Sequence, residues 1–485
     1  MTEGLLSLPV ILVSSWRIFL HRLQAIAYAL LLLGLLDWAV NPDLSRAQQT
    51  QVTSLPTLGS TGFMWMTPFT NPALVGALRM IPVFPYTGYY PLYPGLFSSE
   101  LPGDGPRIGP LKTHLFLGIA EMYTDNVLRT THKRSDFFTT YSPGIQAQLP
   151  FGSRHSFLVD YRTNLQVYQR TPSNNVADQT ASGHLTFDLA SGIKLDLQGE
   201  HKTGHDPRGT AFDTQAIDIN KWHTNGVSGR LEYQGAQIGT ELTVQSVWWQ
   251  YLNNNQGSIR NRVSQYAGVK FLGHMFPNTS PVLAFGVTND SYDFNKNLDR
   301  VTYTISAGAR WDITGNMSGE FLAGYQFLQF TRAQVEQPPP VLSRFRRNSD
   351  SATSPFVAGY LYWTPIPRLQ ITLQPYRSIQ PTVVFGTTFF TGTGVNLSAV
   401  RNITDRLDLR ANIGFEQDKF STPAGGVSVT PPRTDTLTNF VIGVNYRTVE
   451  LFGVGLQYVY ERRTSTVDLF GYQANTLMIS LTGYL

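Results

Sequence analysis

The chain has no cysteine, which excludes disulfides, thiolate nucleophiles and cysteine metal sites. Charge is scarce, at 14% of residues against roughly a quarter in ordinary soluble domains. The formal net charge of +4 is small for 485 residues, and no basic run stands out, so nucleic acid is not an expected partner. After Leu36 no stretch approaches the ~20 apolar residues of a spanning helix. No G-x-S-x-G, H-E-x-x-H or P-loop pattern occurs. His155 and Ser156 are neighbours on opposite faces of one extended segment, so they cannot pair as base and nucleophile. His201 and His205 bracket a Gly-containing loop start with Asp206 nearby, which is at most a weak metal-site pattern. The expectation is no enzyme, no cofactor and no metal.

Aromatic residues are plentiful, at 12%, while the hydrophobic fraction is an ordinary 42%. Few charges and many aromatics without a hydrophobic excess suit a protein with an oily outside and a wet inside. The stretch His155–Tyr168 shows how. Phe157, Val159, Tyr161, Thr163, Leu165 and Val167 share one side. Ser156, Asp160, Arg162, Asn164 and Gln166 share the other. Alternate side chains of a strand point to opposite faces, so this is a strand with one apolar and one polar face.

In chain order, Arg17, His21 and Arg22 precede the apolar run Ala25–Leu36, and Ser45-Arg46-Ala47 offers a small-x-small cleavage site. Residues 1–47 therefore read as an export signal. Residues 48–111 are rich in proline and tyrosine (Pro82, Pro85, Tyr89, Tyr90, Pro91, Tyr93, Pro94), which forbids a regular ladder. They read as an irregular periplasmic leader or plug. From residue 112 to 485, about eighteen amphipathic segments of roughly ten residues follow one another, the length and spacing of an outer-membrane barrel. Short connections such as 151–154, 235–236 and 401–404 alternate with long ones such as 204–220, 334–350 and 418–433. Short periplasmic turns and longer outer loops give that alternation, and an even strand count returns the C-terminus to the periplasm.

A soluble sandwich would have to bury some eighteen apolar faces in two or more stacked cores. In a barrel they face lipid. Trp248, Trp249 and Tyr251 near a long loop, with Trp311, Tyr362 and Trp363 near short turns, suit aromatic belts at the two interfaces. The polar face becomes the lumen wall. Its candidate pore-lining residues are Asp160, Arg162, Arg230, Glu232, Arg310, Asp312, Glu320, Asp408, Arg410 and Arg447. Interleaved amides such as Gln146, Asn164, Gln374, Asn396 and Asn412 suit neutral, hydroxyl-rich solutes. The loop Gln334–Asp350, with Pro338-Pro339-Pro340 and Arg344, Arg346 and Arg347, is one candidate for an inward constriction.

Residues 118–168 carry a family resemblance. Tyr123-Thr124-Asp125-Asn126-Val127 is followed by Ser135-Asp136-Phe137, Ser142-Pro143-Gly144 and Asp160-Tyr161-Arg162. This order resembles the first hairpins of the type 2 outer-membrane β-barrel porins. The resemblance implies a wide barrel associated with capsule or exopolysaccharide assembly, with polysaccharide and periplasmic export machinery as partners. The chain departs from outer-membrane barrels of this kind in ending on Leu485 rather than an aromatic residue.

The sequence thus predicts an all-β protein, a transmembrane antiparallel barrel of about 18 strands (16–18) in the outer membrane of a Gram-negative-type bacterium. Its expected role is a pore passing polysaccharide to the cell surface. The alternatives are a general diffusion porin for small solutes and a structural or adhesive barrel with a sealed lumen.

Overall fold

The computed structural model describes residues 106–189, 192–210, 218–312, 316–331, 350–382, 387–421, 432–449 and 452–484. All of them lie in one compact unit spanning 58–485. The expected signal, the leader up to residue 105 and residues 332–349 of the Pro/Arg loop fall outside the described residues.

A two-residue strand β1 (Arg107–Ile108) precedes the wall strands β2 (Leu111–Thr124), β3 (Asp136–Phe151), β4 (His155–Tyr168), β5 (Val176–Asp188), β6 (Ile193–His205) and β7 (Lys221–Gln234). Then come β8 (Ile238–Tyr251), β9 (Arg262–Gly273), β10 (Thr279–Tyr292), β11 (Arg300–Asp312), β12 (Met317–Phe330) and β13 (Ser351–Ile366). The wall ends with β14 (Leu369–Pro381), β15 (Phe389–Asn402), β16 (Leu407–Phe420), β17 (Thr434–Val449), β18 (Phe452–Ser465) and β19 (Tyr472–Tyr484). Each wall strand pairs antiparallel with the next, and β19 pairs with β2 from Thr476↔Thr124 to Tyr484↔Phe116. The eighteen strands β2–β19 therefore form a closed ring. Closure removes sheet edges, which hydrocarbon cannot solvate.

Each of the eighteen expected segments falls in a separate strand. Two details differ from the sequence reading. The strands run 12 to 16 residues, longer than expected, because pairing continues past the apolar band toward the long loops. Arg107 and Ile108, within the stretch expected to be irregular, fold back onto Lys112 and Leu111, and the Thr113 amide donates to the Pro106 carbonyl at 3.0 Å.

Side-chain burial follows the strand period. On β11, Tyr303 and Ile305 are exposed on the outer face, whereas Thr302, Thr304 and Ser306 are buried inside. On β12, Phe321, Tyr325 and Phe327 face out, while Glu320, Leu322 and Gln326 face in. The expected aromatic belt is corrected at two places, the first being Tyr362, which falls inward with Tyr360 beside the exposed Trp363. Trp248 faces out, but Trp249 and Tyr251 are buried on the lumen side. Neighbouring residues of a strand cannot share a face, and Tyr251 falls with Trp249. Close approach also shapes the wall. A Cβ at Gly144 would enter the ring of Phe116, its cross-strand partner, so glycine there lets the aromatic lie flat across β3.

Ile305→Arg, mid-strand on the outer face and 44% exposed, is expected to destabilise the barrel by about 2–4 kcal/mol. The check is the urea midpoint of refolding into lipid vesicles. An unchanged midpoint would mean this face does not meet hydrocarbon.

Candidate pore lining and loop-rim constriction

Charges placed inside a low-dielectric wall must be paired or they destabilise it. The lumen face obeys this rule near the short-turn rim. Arg230 on β7 bonds Glu232 at 3.0 Å and Glu241 on β8 at 3.2 Å. Glu241 accepts from Arg310 on β11 at 2.7 Å. Arg310 Nε donates to Glu320 on β12 at 2.7 Å, and Glu320 also takes Lys270 Nζ at 2.6 Å. Three carboxylates and three cations thus alternate along one network, with the fully buried Glu320 held between Arg310 and Lys270.

The other sequence-chosen residues form separate pairs. Asp160 and Arg162 bond each other at 2.6 Å on β4, with the guanidinium 5.5 Å from the Phe116 ring. Asp408 and Arg410 pair at 3.0 Å on β16. Arg447 turns to the short-turn rim, where it donates to the Asp405 carbonyl at 2.9 Å. The side chain of Asp312 lies outside what is described. Between these pairs runs an amide ladder. Asn412 donates to Asn396 at 2.9 Å and Ser398 at 2.8 Å, and Asn439 donates to Asn412 at 3.2 Å. His201 and His205 do not converge on a site. His201 is exposed and bonds Asn225 at 2.8 Å, whereas His205 is buried against Asp178 at 3.0 Å.

The long-loop rim carries what the sequence reading missed. The connection after β6 turns inward and is tied on several sides. Asp206 takes Arg260 at 2.6 Å and Asn220 at 3.1 Å. Arg208 donates to Asn174 at 3.2 Å. Most tellingly, Arg463 on β18 donates to the carbonyls of Gly209 at 2.7 Å and Thr210 at 3.1 Å. β6 and β18 are six steps apart around the ring, so this segment passes over the lumen. Gly209 has φ +73°, and a Cβ there would lie 2.8 Å from both Arg129 and the Tyr472 ring. Only glycine fits that passage. Burial lifts the Asp206 carboxyl above the usual aspartate value despite the pull of Arg260, Asn220 and His205. It therefore takes up a proton at milder acidity than a free aspartate.

A second element enters from the far side. Phe390 on β15 and Phe420 on β16, with centroids 5.1 Å apart, join Trp222 on β7 with Trp249 and Tyr251 on β8 in one buried apolar cluster. These strand pairs lie nearly opposite in the ring. Arg300 at the start of β11 donates to the Thr388 carbonyl at 3.2 Å and is fixed by Asp290 at 2.8 Å. Cations cover the aromatic bridge, with Arg262 5.0 Å from Trp249 and Arg433 4.3 Å from Phe420. Cross-lumen partners far apart in sequence left no local signal, although the inward parity of Trp249 and Tyr251 could have been read.

Among known proteins, the family model for beta-barrel porin 2 matches residues 107–484. No curated protein sequence matches the chain. Similar solved structures include the outer membrane protein opdK from Pseudomonas aeruginosa, at 10% identity and TM-score 0.40, covering 77% of this chain and 98% of that one. OpdL from Pseudomonas aeruginosa, at 10% identity, and OccAB4 from Acinetobacter baumannii, at 9%, each give TM-score 0.42 with the same two coverages.

Glu320→Ala strands Lys270 and Arg310 in the wall and is expected to cost about 3–5 kcal/mol. Glu320→Gln with Lys270→Met is expected to recover part of that. Urea unfolding in vesicles reads both, and a neutral Glu320→Ala would show that the network is not holding the wall.

Proposed function

The chain belongs to the beta-barrel porin 2 family and is an outer-membrane β-barrel porin, and from that premise we propose a passive, gated pore for small polar solutes. The proposal involves no catalytic step. Solutes cross the paired charges and amide ladder of the lumen, whose groups offer hydrogen bonds without a net charge to trap an ion. The ten residues Asp160, Arg162, Arg230, Glu232, Arg310, Asp312, Glu320, Asp408, Arg410 and Arg447 belong to that lining in this reading. The observation that carries the gating is the hold of Arg463 on the Gly209 and Thr210 carbonyls across the lumen.

An eighteen-strand wall alone encloses room for an aqueous channel. The crossing segment and the aromatic bridge narrow it at the long-loop rim, which favours small solutes over the polysaccharide strand that the family resemblance suggested. Passage of such a strand to the surface, with periplasmic machinery delivering it, would need both elements to withdraw together.

Liposome swelling tests the proposal. Wild-type protein is expected to admit a monosaccharide and to exclude an oligosaccharide of several units. Arg463→Ala is expected to raise the monosaccharide rate several-fold and to admit larger sugars. Equal swelling with all sugar sizes in the wild type would refute the gate. No swelling from folded wild-type protein or from Arg463→Ala would refute the pore.

Acid provides a second handle. As pH falls through the raised titration of Asp206, its pair with Arg260 weakens and permeation is expected to increase. Asp206→Asn is expected to show the acid behaviour at neutral pH. Permeation that is flat with pH in both proteins would show that this pair does not hold the segment.

A further inference from the structure

The seam between β13 and β14 is incomplete. Its register runs from Ile366↔Leu369 up to Val357↔Arg377 and stops there. Both strands continue, Ser351–Phe356 pairing with β12 and Ser378–Pro381 with β15. No β13–β14 pair forms above Val357↔Arg377 among the described residues. Proline accounts for part of this, because Pro355 on β13, which would face Ile379 if the ladder continued, has no amide hydrogen to donate.

The upper end of β14 has turned inward. The Ile379 amide donates 2.8 Å to the side-chain carbonyl of Gln326 on β12, two strands away, and Gln326 is oriented by its own bond to Thr304 at 3.2 Å. Strand parity would put Ile379 on the outer face with Arg377. Instead it is buried with the lumen-facing Leu328 and Phe330, against Ala352 and Phe389. The interrupted seam therefore has an apolar inner lining. Phe356, Ala358, Leu322 and Tyr376 continue that lining downward.

The seam's height is set by the strand. Val357 is nine residues above Ile366, which at about 3.3 Å per residue and a tilt of about 40° is roughly 23 Å above the short-turn rim. That is close to the top of an apolar band about 25 Å tall. Tyr325 and Phe327, which face out beside Pro355 and Thr353, stand at this level like an aromatic girdle. At the foot of the break sits a cation. Arg377 shares the outer face with Val395, its Nη1 donates 2.8 Å to Thr393, and its Nε is buried with no partner. A cation among lipid-facing residues is disfavoured unless something anionic meets it.

We propose that the β13–β14 break is a lateral binding site, facing the outer leaflet, for a single-chain anionic amphiphile of the fatty-acid type. Its alkyl chain enters between the strands by taking the place of Ile379, which otherwise packs on Leu328 and Phe330. Its carboxylate meets Arg377 at the girdle. This goes beyond the pore reading, since it gives the wall a route between lumen and membrane that hydrophilic solutes do not use.

The cysteine-free chain makes the test direct. Ser354 and Gln380 would lie opposite each other if the ladder continued, so the pair S354C/Q380C should oxidise only when the seam zips. Full-length protein in phosphatidylcholine nanodiscs is titrated with radiolabelled dodecanoate and with dodecanol, against empty nanodiscs. Wild type is expected to bind dodecanoate saturably and dodecanol at least tenfold more weakly. Arg377→Gln is expected to remove that preference, and the oxidised cysteine pair to lose binding that reduction restores. Dodecanoate uptake equal to empty nanodiscs overturns the proposal, as does undiminished binding by the oxidised pair. If the pair does not oxidise, Arg377→Gln decides, and an unchanged preference for dodecanoate overturns the assignment of the headgroup. Sugar-driven swelling, measured on the same proteins, reports on the pore separately, so either reading can fail alone.

Discussion

Hydrocarbon offers a peptide group no hydrogen bond, and each group left unpaired there costs several kcal/mol. The ring β2–β19 meets that demand by pairing every strand with two neighbours and joining its last strand to its first. Closure then forces the polarity of the side chains. Alternate residues must face lipid, so Ile305, Phe321 and Val395 are outside, and the remainder must face inward. The lumen has to accommodate all the charge the outer face rejects.

That second demand organises the interior. Near the short turns, charges pair along the wall, as in the run from Glu232 through Arg310 to Lys270, and the pairing holds neighbouring strands. Near the long loops, Arg463, Arg260 and Arg300 instead bond segments that have left the wall. One chemistry thus serves two ends. Along the wall it fixes strands, and at the rim it fixes the elements that narrow the lumen. The β13–β14 break is the counterpart on the wall, because turning β14 inward leaves the upper residues of β13 paired with β12 alone among the wall strands.

Much of the fold was legible in the sequence. The period-two alternation of segments such as His155–Tyr168, with short and long connections in turn, suffices for strand count, faces and direction. Parity also put Arg230, Glu232, Arg310 and Glu320 on one face, and the structure joins these four through Glu241 in one network. What parity cannot give is which loop folds inward. The bonds from Arg463 to residue 209 and from Arg300 to residue 388 span distances at which sequence carries no periodic signal. The reading therefore singled out the conspicuous Pro/Arg loop as a candidate, most of which lies outside the described residues, and passed over the plainer 204–220 connection. Nor does period-two alternation reveal that β14 extends to Pro381 without its β13 neighbour.

The central claim is that the long-loop rim, not the eighteen-strand wall, sets the size of the pore. Single-channel recording of the wild-type protein in a planar bilayer tests this most directly. The account expects a low resting conductance with brief openings as the crossing segment and the aromatic bridge release. A large, steady conductance, of the size an unobstructed ring of this strand number would give, would contradict it.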